Sequence, residues 1–231
     1  MKMKRLVAAA AIVCTALLLI GCATPIDMAL KNDADVLKSD AKPLYLMTAT
    51  IRNSYKPRYQ PKLLVVNVLR AGGKDSTDRL NFKIDDKARA ESDSEIEGST
   101  YFMRMELEPG NYEISALTSL GRAFPLNGFF VTPVNSELKV GERGVYYLGH
   151  IEASVRERIG KEFAAGPALP LIDQAVTGAS TGSFDVAISD RFDRDESAFR
   201  ARFPALKDVN ISKAVLPPFD RAKAQERWDK E

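Results

Sequence analysis

The chain is 231 residues long, with 33 Lys and Arg against 31 Asp and Glu, two cysteines and one histidine. Such near neutrality lacks the concentrated basic face that nucleic-acid recognition requires, so no nucleic-acid partner is expected. A lone histidine is poor support for a zinc centre, which wants three or four converging ligands, and neither a metal nor a cofactor is expected.

Lys2, Lys4 and Arg5 precede an uncharged, almost wholly apolar run from Leu6 to Ile20, which Gly21 and Cys22 close. A basic head, a short apolar core and a small-residue cleavage site are the three parts of a secretory signal. A membrane span needs about 20 apolar residues, and this run ends short of that at a processing site. Leu19-Ile20-Gly21-Cys22 resembles the lipobox of bacterial lipoproteins. The resemblance implies cleavage between Gly21 and Cys22, a diacylglyceryl thioether on the Cys22 sulfur and acylation of the new amino group. A second acyl chain turns marginal membrane binding into durable anchoring. Enteric members of that family carry Asp after the cysteine when they stay at the inner membrane; Ala23 here implies the outer membrane, facing the periplasm. Cys14 leaves with the signal and Cys22 is committed to lipid. The mature chain then has no thiol pair for a disulfide and is held by core burial.

The expected division is a signal over 1–21, the lipidated cysteine and a polar tether over 22–42, a β-domain over 43–160 and an extension over 161–231. The tether carries at most a short helix near Leu30 to Leu37 and lifts the folded part off the bilayer. Extended runs with turn residues between them follow. Pro43 to Arg52, Lys62 to Arg70 and Arg79 to Asp85 read as strands. Residues 86–99 are charged and poor in apolar groups, as a solvated loop would be. Tyr101, Met103, Met105 and Leu107 share one face and Arg104, Glu106 and Glu108 the other, the pattern of a half-buried strand. Pro109-Gly110 suits the centre of a type II turn, and Tyr112, Ile114 and Ala116 resume the alternation, so Tyr101 to Leu120 is expected to be a hairpin. Phe129 to Val134, Glu137 to Val140 and Val145 to Val155 follow, with Gly141 to Gly144 as a turn. After a small-residue stretch over 160–183, with an apolar island at Ala168 to Ile172, Phe184 to Ile188 is one more strand. Asp193 and Glu196 match a capping box for a helix through Ala198, Phe199, Arg202 and Phe203 that Pro204 ends. Arg221 to Glu231 is a second, polar helix. Many short strands at close spacing suggest a mainly β chain built as an antiparallel β-sandwich with a small α appendage.

Leu107 to Ile114 (L-x-P-G-x-Y-x-I) and Gly144 to Gly149 (G-x-Y-Y-L-G) resemble transthyretin-like and carboxypeptidase-regulatory-like sandwiches. Uncharacterised bacterial envelope lipoproteins carry similar domains, often with a tail like residues 184–204 here. The likeness covers about residues 43–210, implies a fold and transfers no catalytic residue.

Four features could carry chemistry. Gly178 to Gly182 (GASTG) matches G-x-S-x-G, but the nucleophile elbow needs a strand before it, a helix after it and a later histidine. Here a strand follows, and His150 precedes Ser180, so a flexible loop is expected. His150 reads as a packed or rim histidine, with Leu148 and Glu152 on its face and Glu152 as its carboxylate partner. Asp190, Asp193, Asp195 and Glu196 lack the spacing of a calcium loop, and capping and the helix dipole account for them. Arg52, Tyr55, Lys56, Arg58, Tyr59 and Lys62 interleave basic and aromatic groups around Pro57 and Pro61. They form a possible anionic-ligand surface, against the plainer reading of a solvated loop. The expected function is a non-catalytic binding or assembly module, held on the membrane by its lipid and facing an envelope protein or cell-wall partner. A serine hydrolase acting through Ser180 and a purely structural envelope-maintenance lipoprotein are the alternatives.

Overall fold

The computed structural model describes residues 25–37, 41–73, 76–89, 98–123, 126–167 and 175–230. Gly21, Cys22, Ala23 and the apolar island at 168–172 lie outside these residues. The described chain is mainly β, with ten strands and two α-helices. One five-stranded sheet holds, in spatial order, β1 (Pro25–Asp27), β4 (Arg79–Lys83), β3 (Lys62–Arg70), β6 (Gly110–Ala123) and β7 (Leu126–Val140). In the other, β8 (Val145–Glu157) lies beside β2 (Leu44–Asn53), which pairs with β5 (Ser99–Glu106). On its far side β8 takes β10 (Ile211–Lys213) along its first residues and β9 (Gly182–Ser189) along its last.

The sheets are mixed, which corrects the antiparallel expectation: β1 with β4, β2 with β8 and β10 with β8 run parallel. Strands β2 to β8 alternate in direction along the chain, but the chain changes sheet between β2 and β3, β4 and β5, β5 and β6, and β7 and β8. β2 and β8, six steps apart, thereby become neighbours and run parallel.

The expected hairpin is also corrected. β5 and β6 belong to different sheets, joined by a corner at Leu107–Pro109. The Leu107 amide donates to the Pro43 carbonyl (3.2 Å), keeping it with the β2 sheet, whereas Gly110, at φ 155°, already pairs with Val140 in the other. Tyr101, Met103 and Met105 therefore enter the core from one sheet, and Tyr112, Ile114 and Leu117 enter the same core from the other.

Residues 25–30 are part of the fold and not a free tether, and residues 30–37 form turns instead of a helix. Ile26, Met28 and Leu30 alternate as a strand does. β1 extends the β4 edge, Met28 and Leu30 are buried, and the Ala29 amide donates to the Arg104 carbonyl of edge strand β5 (3.0 Å). On the opposite side, the Val131 amide donates to the Ala165 carbonyl (2.7 Å) and the Ala165 amide to that of Gly182 (2.8 Å). Each strap ties an edge of one sheet to an edge of the other and blocks edge pairing with other chains.

Sheet β2–β5 is covered on both faces. Its outer face meets helix α1 (Phe192–Arg202) through a second apolar cluster including Leu46, Phe102, Tyr147, Phe199 and Phe203. Arg104, expected to face solvent, lies on that covered face and is fully buried. Its Nε donates to the Ala29 carbonyl (2.8 Å), Nη1 to that of Phe102 (3.0 Å) and Nη2 to Asp85 Oδ2 (2.5 Å), and its guanidinium sits 4.4 Å from the Phe203 ring centre. Burial lowers its pKa, and the Asp85 carboxylate opposes that shift. Helix α2 (Arg221–Trp228) starts at an Asp220 cap that accepts from the Lys223 amide (2.9 Å), and Arg227 pairs with Glu113 of β6.

Removing one partner of a buried ion pair strands the other's charge, at a cost of about 3–5 kcal/mol. Arg104→Leu is therefore expected to lower unfolding free energy by about that amount in urea denaturation.

Candidate functional site

Among the described residues, the side chains that the sequence singles out fall mainly in two polar groupings, one exposed and one sealed. The exposed one is the 53–61 loop between β2 and β3, which Asn53 organises. This buried side chain donates to the carbonyls of Tyr59 (3.0 Å) and Thr177 (2.9 Å) and accepts from the Lys56 amide (2.8 Å). Gln60 bonds the Asn53 backbone on both sides, at 2.9 and 3.1 Å. The turn is thus held from inside while Pro57 and Arg58 stand exposed at its tip.

The six residues expected to form an anionic-ligand surface divide. Tyr55 and Lys56 come together, with the Lys56 ammonium 4.6 Å over the Tyr55 ring, and Arg58 and Tyr59 share their loop. Arg52 lies apart on β2, where it pairs with Glu152 (3.5 Å). Lys62 opens β3 opposite Leu120 and is exposed. The loop rests on Gly178, whose φ is 85° and where an added Cβ would fall 3.0 Å from Tyr55 Cδ1.

That contact accounts for the glycines of GASTG. Gly178 is required by its backbone angle and by Tyr55. The Gly182 amide donates to the Gly178 carbonyl (2.7 Å), and an added Cβ at Gly182 would meet that oxygen. Ser180 sits in this turn, with β9 directly after it. His150 pairs with Ser189 and Glu157 with Gly182, so seven residues of β8, about 23 Å of strand, separate the histidine from the serine's end of the sheet.

The sealed cluster lies between β2, β8 and α1. A bulge on β8 sets it up: Leu46 faces Tyr147 and Thr48 faces His150, leaving Leu148 and Gly149 opposite Met47 alone. Gly149 takes φ 105° there. The extra residue turns Leu148 into the inner core and His150 to the outer face with Tyr147, correcting the expected grouping of Leu148 with His150. Glu152 is not the imidazole's partner either; it accepts from Arg191 (2.8 Å).

Asp195 is the hub. Tyr147 donates to its Oδ2 (2.6 Å), Thr48 donates to the same oxygen, and Arg194 Nε donates to Oδ1 (2.8 Å). The capping box is accordingly not formed. Asp190 instead accepts from the Phe192 amide (2.9 Å), while Asp195, Ala198, Phe199 and Arg202 line the helix face that meets the sheet. Because Thr48 gives its one proton to the carboxylate, its oxygen accepts from His150 Nδ1 (2.8 Å). His150 Nε2 is left as a buried lone pair without a protein partner. Burial, followed by repulsion from Arg191, pulls the imidazole pKa down to about 4, against attraction from Asp195 and Glu152. Burial raises the Tyr147 phenol, as does its bond to Asp195.

This arrangement holds a helix against a sheet. His150 is fully buried, and protonating it would leave an Nε2–H without an acceptor. Among the described residues no cluster of His, Cys, Asp and Glu is placed to hold a metal ion, and no helix is long and apolar enough to cross a membrane. Compared with known proteins, the chain matches no family model, no curated protein and no solved structure.

Sequence reasoning missed Thr48, Tyr147 and Asn53, whose roles depend on pairings between distant strands. Asp195 carried a signal, because Ala198 and Phe199 stand at i+3 and i+4 from it.

Three outcomes are expected. Asp195→Ala strands the Thr48 and Tyr147 hydroxyls and should cost about 2–4 kcal/mol in denaturant unfolding. The His150 imidazole is neutral in the fold and takes up a proton more readily unfolded. Its contribution is therefore complete above pH 6.5 and is lost as pH falls towards 4, amounting to about 3 kcal/mol. Melting curves across that window should show the loss, and His150→Gln should flatten it. A fluorophosphonate probe should leave Ser180 unlabelled.

Proposed function

We propose that this chain is an envelope lipoprotein, cut ahead of Cys22, carried by lipid on that sulfur at the periplasmic face of the outer membrane, and acting without catalysis. Its two sheets stack as a transthyretin-like sandwich. Its working surface is the 53–61 loop, which offers Arg58, Tyr59, Tyr55 and Lys56 to an anionic cell-wall or protein partner in the envelope. The observation that carries this reading is the resemblance of Leu19–Cys22 to a lipobox, with Cys22 three residues ahead of the first described strand. Cleavage at that point leaves every described element intact.

The loop's construction supports its share of the reading. A binding surface keeps its affinity when its backbone is preorganised, and Asn53 and Gln60 supply that order without using the side chains at the tip. Tyrosine beside lysine and arginine suits stacking on a sugar ring next to an anionic group. The Thr48–His150–Asp195 group, the nearest approach to a catalytic relay, is sealed under α1 and supports a structural role for itself.

Cells grown with labelled palmitate test the anchor. The wild-type protein should carry label and sediment with membranes, whereas Cys22→Ser should lose both. A Cys22→Ser protein that remains membrane-bound and labelled would overturn the reading.

A further inference from the structure

The direction of β1 bears on how the domain stands on its membrane. β1 runs parallel to β4, with Pro25 opposite Asn81 and Asp27 opposite Lys83, so β1 starts at the Arg79 end of the sheet. That end also holds Arg70 of β3 and Lys139 of β7, beside the corner at Gly110 and the turn after Val140. Arg70, Arg79 and Lys139 are all exposed. The 53–61 loop stands at the other end of the same strands, where β2 finishes and β3 begins. β3 alone spans nine residues, about 30 Å. Between Cys22 and Pro25 the chain reaches only about 10 Å even when fully extended.

We propose that the end of the sheets bearing Arg70, Arg79 and Lys139 is the surface that lies on the membrane, against lipid headgroups, and that the 53–61 loop points away from the bilayer that anchors it. Three residues cannot hold the start of β1 more than about 10 Å from the lipidated sulfur's residue, so the end at which β1 starts stays close to the bilayer. Asp78, Glu108 and Glu142 stand at the same end beside the three cations, so its charge is mixed, and the short chain from Cys22 to β1, not a net positive face, is what sets it against the headgroups. The ligand of the Arg58–Tyr59 loop is then a component of the space beyond the membrane, not a lipid of the anchoring leaflet. This inference rests on the lipid anchor at Cys22.

Cys14 leaves with the signal and Cys22 is consumed by the thioether, so an introduced cysteine is the sole free thiol of the mature lipoprotein. Asn111→Cys and Gly141→Cys mark the proposed membrane end, Arg58→Cys the far end and Asp33→Cys the side carrying the N-terminal segment. Each lipidated variant is labelled with an environment-sensitive fluorophore. It is then placed in vesicles of phosphatidylethanolamine and phosphatidylglycerol containing a lipid with a nitroxide on its headgroup. Quenching should be several-fold stronger at 111 and 141 than at 58. Equal or stronger quenching at 58 would overturn the orientation, as would quenching concentrated at 33. Mass spectrometry of each preparation, taken first, reads the diacylglyceryl addition; its absence would refute the anchor itself, and the orientation with it.

Discussion

The bonds between Arg104 and Ala29 decide how residues 25–30 relate to the two sheets. An arginine taken fully out of water needs acceptors, and this one finds them in two backbone carbonyls and the Asp85 carboxylate. Backbone bonding of Ala29 to the same residue makes residues 25–30 a strap from the β4 edge to the β5 edge. Leu30 closes the strap in the left-handed region at φ 55° and buries its side chain in the outer cluster. Without the guanidinium, the Ala29 carbonyl and Asp85 would have to find water beneath Phe203, and the strap's hold on β5 would weaken. A segment that composition marks as a tether is thereby a structural element.

The same logic of buried polar groups governs the contact of α1 further along the same outer face of the β2–β5 sheet. α1 has modest apolar content, and its grip comes from two kinds of contact: Phe199 against Phe102, and Asp195 against Thr48 and Tyr147. A buried carboxylate is tolerable when several donors surround it, and here they come from strands that are remote in sequence. The bulge at Leu148–Gly149 makes this possible by bringing Tyr147 and His150 to one face. The resulting cluster has the residue types of a relay but lacks an opening, which is why residue type alone is a poor guide to chemistry at this position. The exposed 53–61 loop is built the opposite way. Its amides and carbonyls are satisfied inside by Asn53 and Gln60, and its charged and aromatic tips face outward.

How much of this was legible in the sequence follows from the range of each interaction. The individual strands were readable because alternation of side chains is local: Lys62 to Arg70 is a strand at both bounds, and Phe184 to Ile188 lies within β9. Strand partners were not readable. Tyr101 to Met105 and Tyr112 to Ala116 show the same alternation whether they pair with each other or face one another across a core, and a Pro-Gly corner serves both. Arg104 looked solvent-facing because the helix that covers it lies almost a hundred residues downstream. The loop at 53–61 was recognised as a unit, yet its organiser, Asn53, was hidden at the end of a strand, and Arg52 belonged to a different face. His150 was rightly read as packed, but its partner Thr48 lies across a parallel pairing that the antiparallel expectation excluded.

The central claim is that residues 25–30 belong to the folded body, so that this segment and the sheets move together. Native-state hydrogen exchange at the Ala29 amide tests this most directly, because that proton is bonded to the Arg104 carbonyl. The account predicts exchange as slow as that of Ile114 and Leu117 in the core, released only by global unfolding. Exchange at the rate of an unstructured chain would contradict it and return residues 25–30 to the role of a free tether.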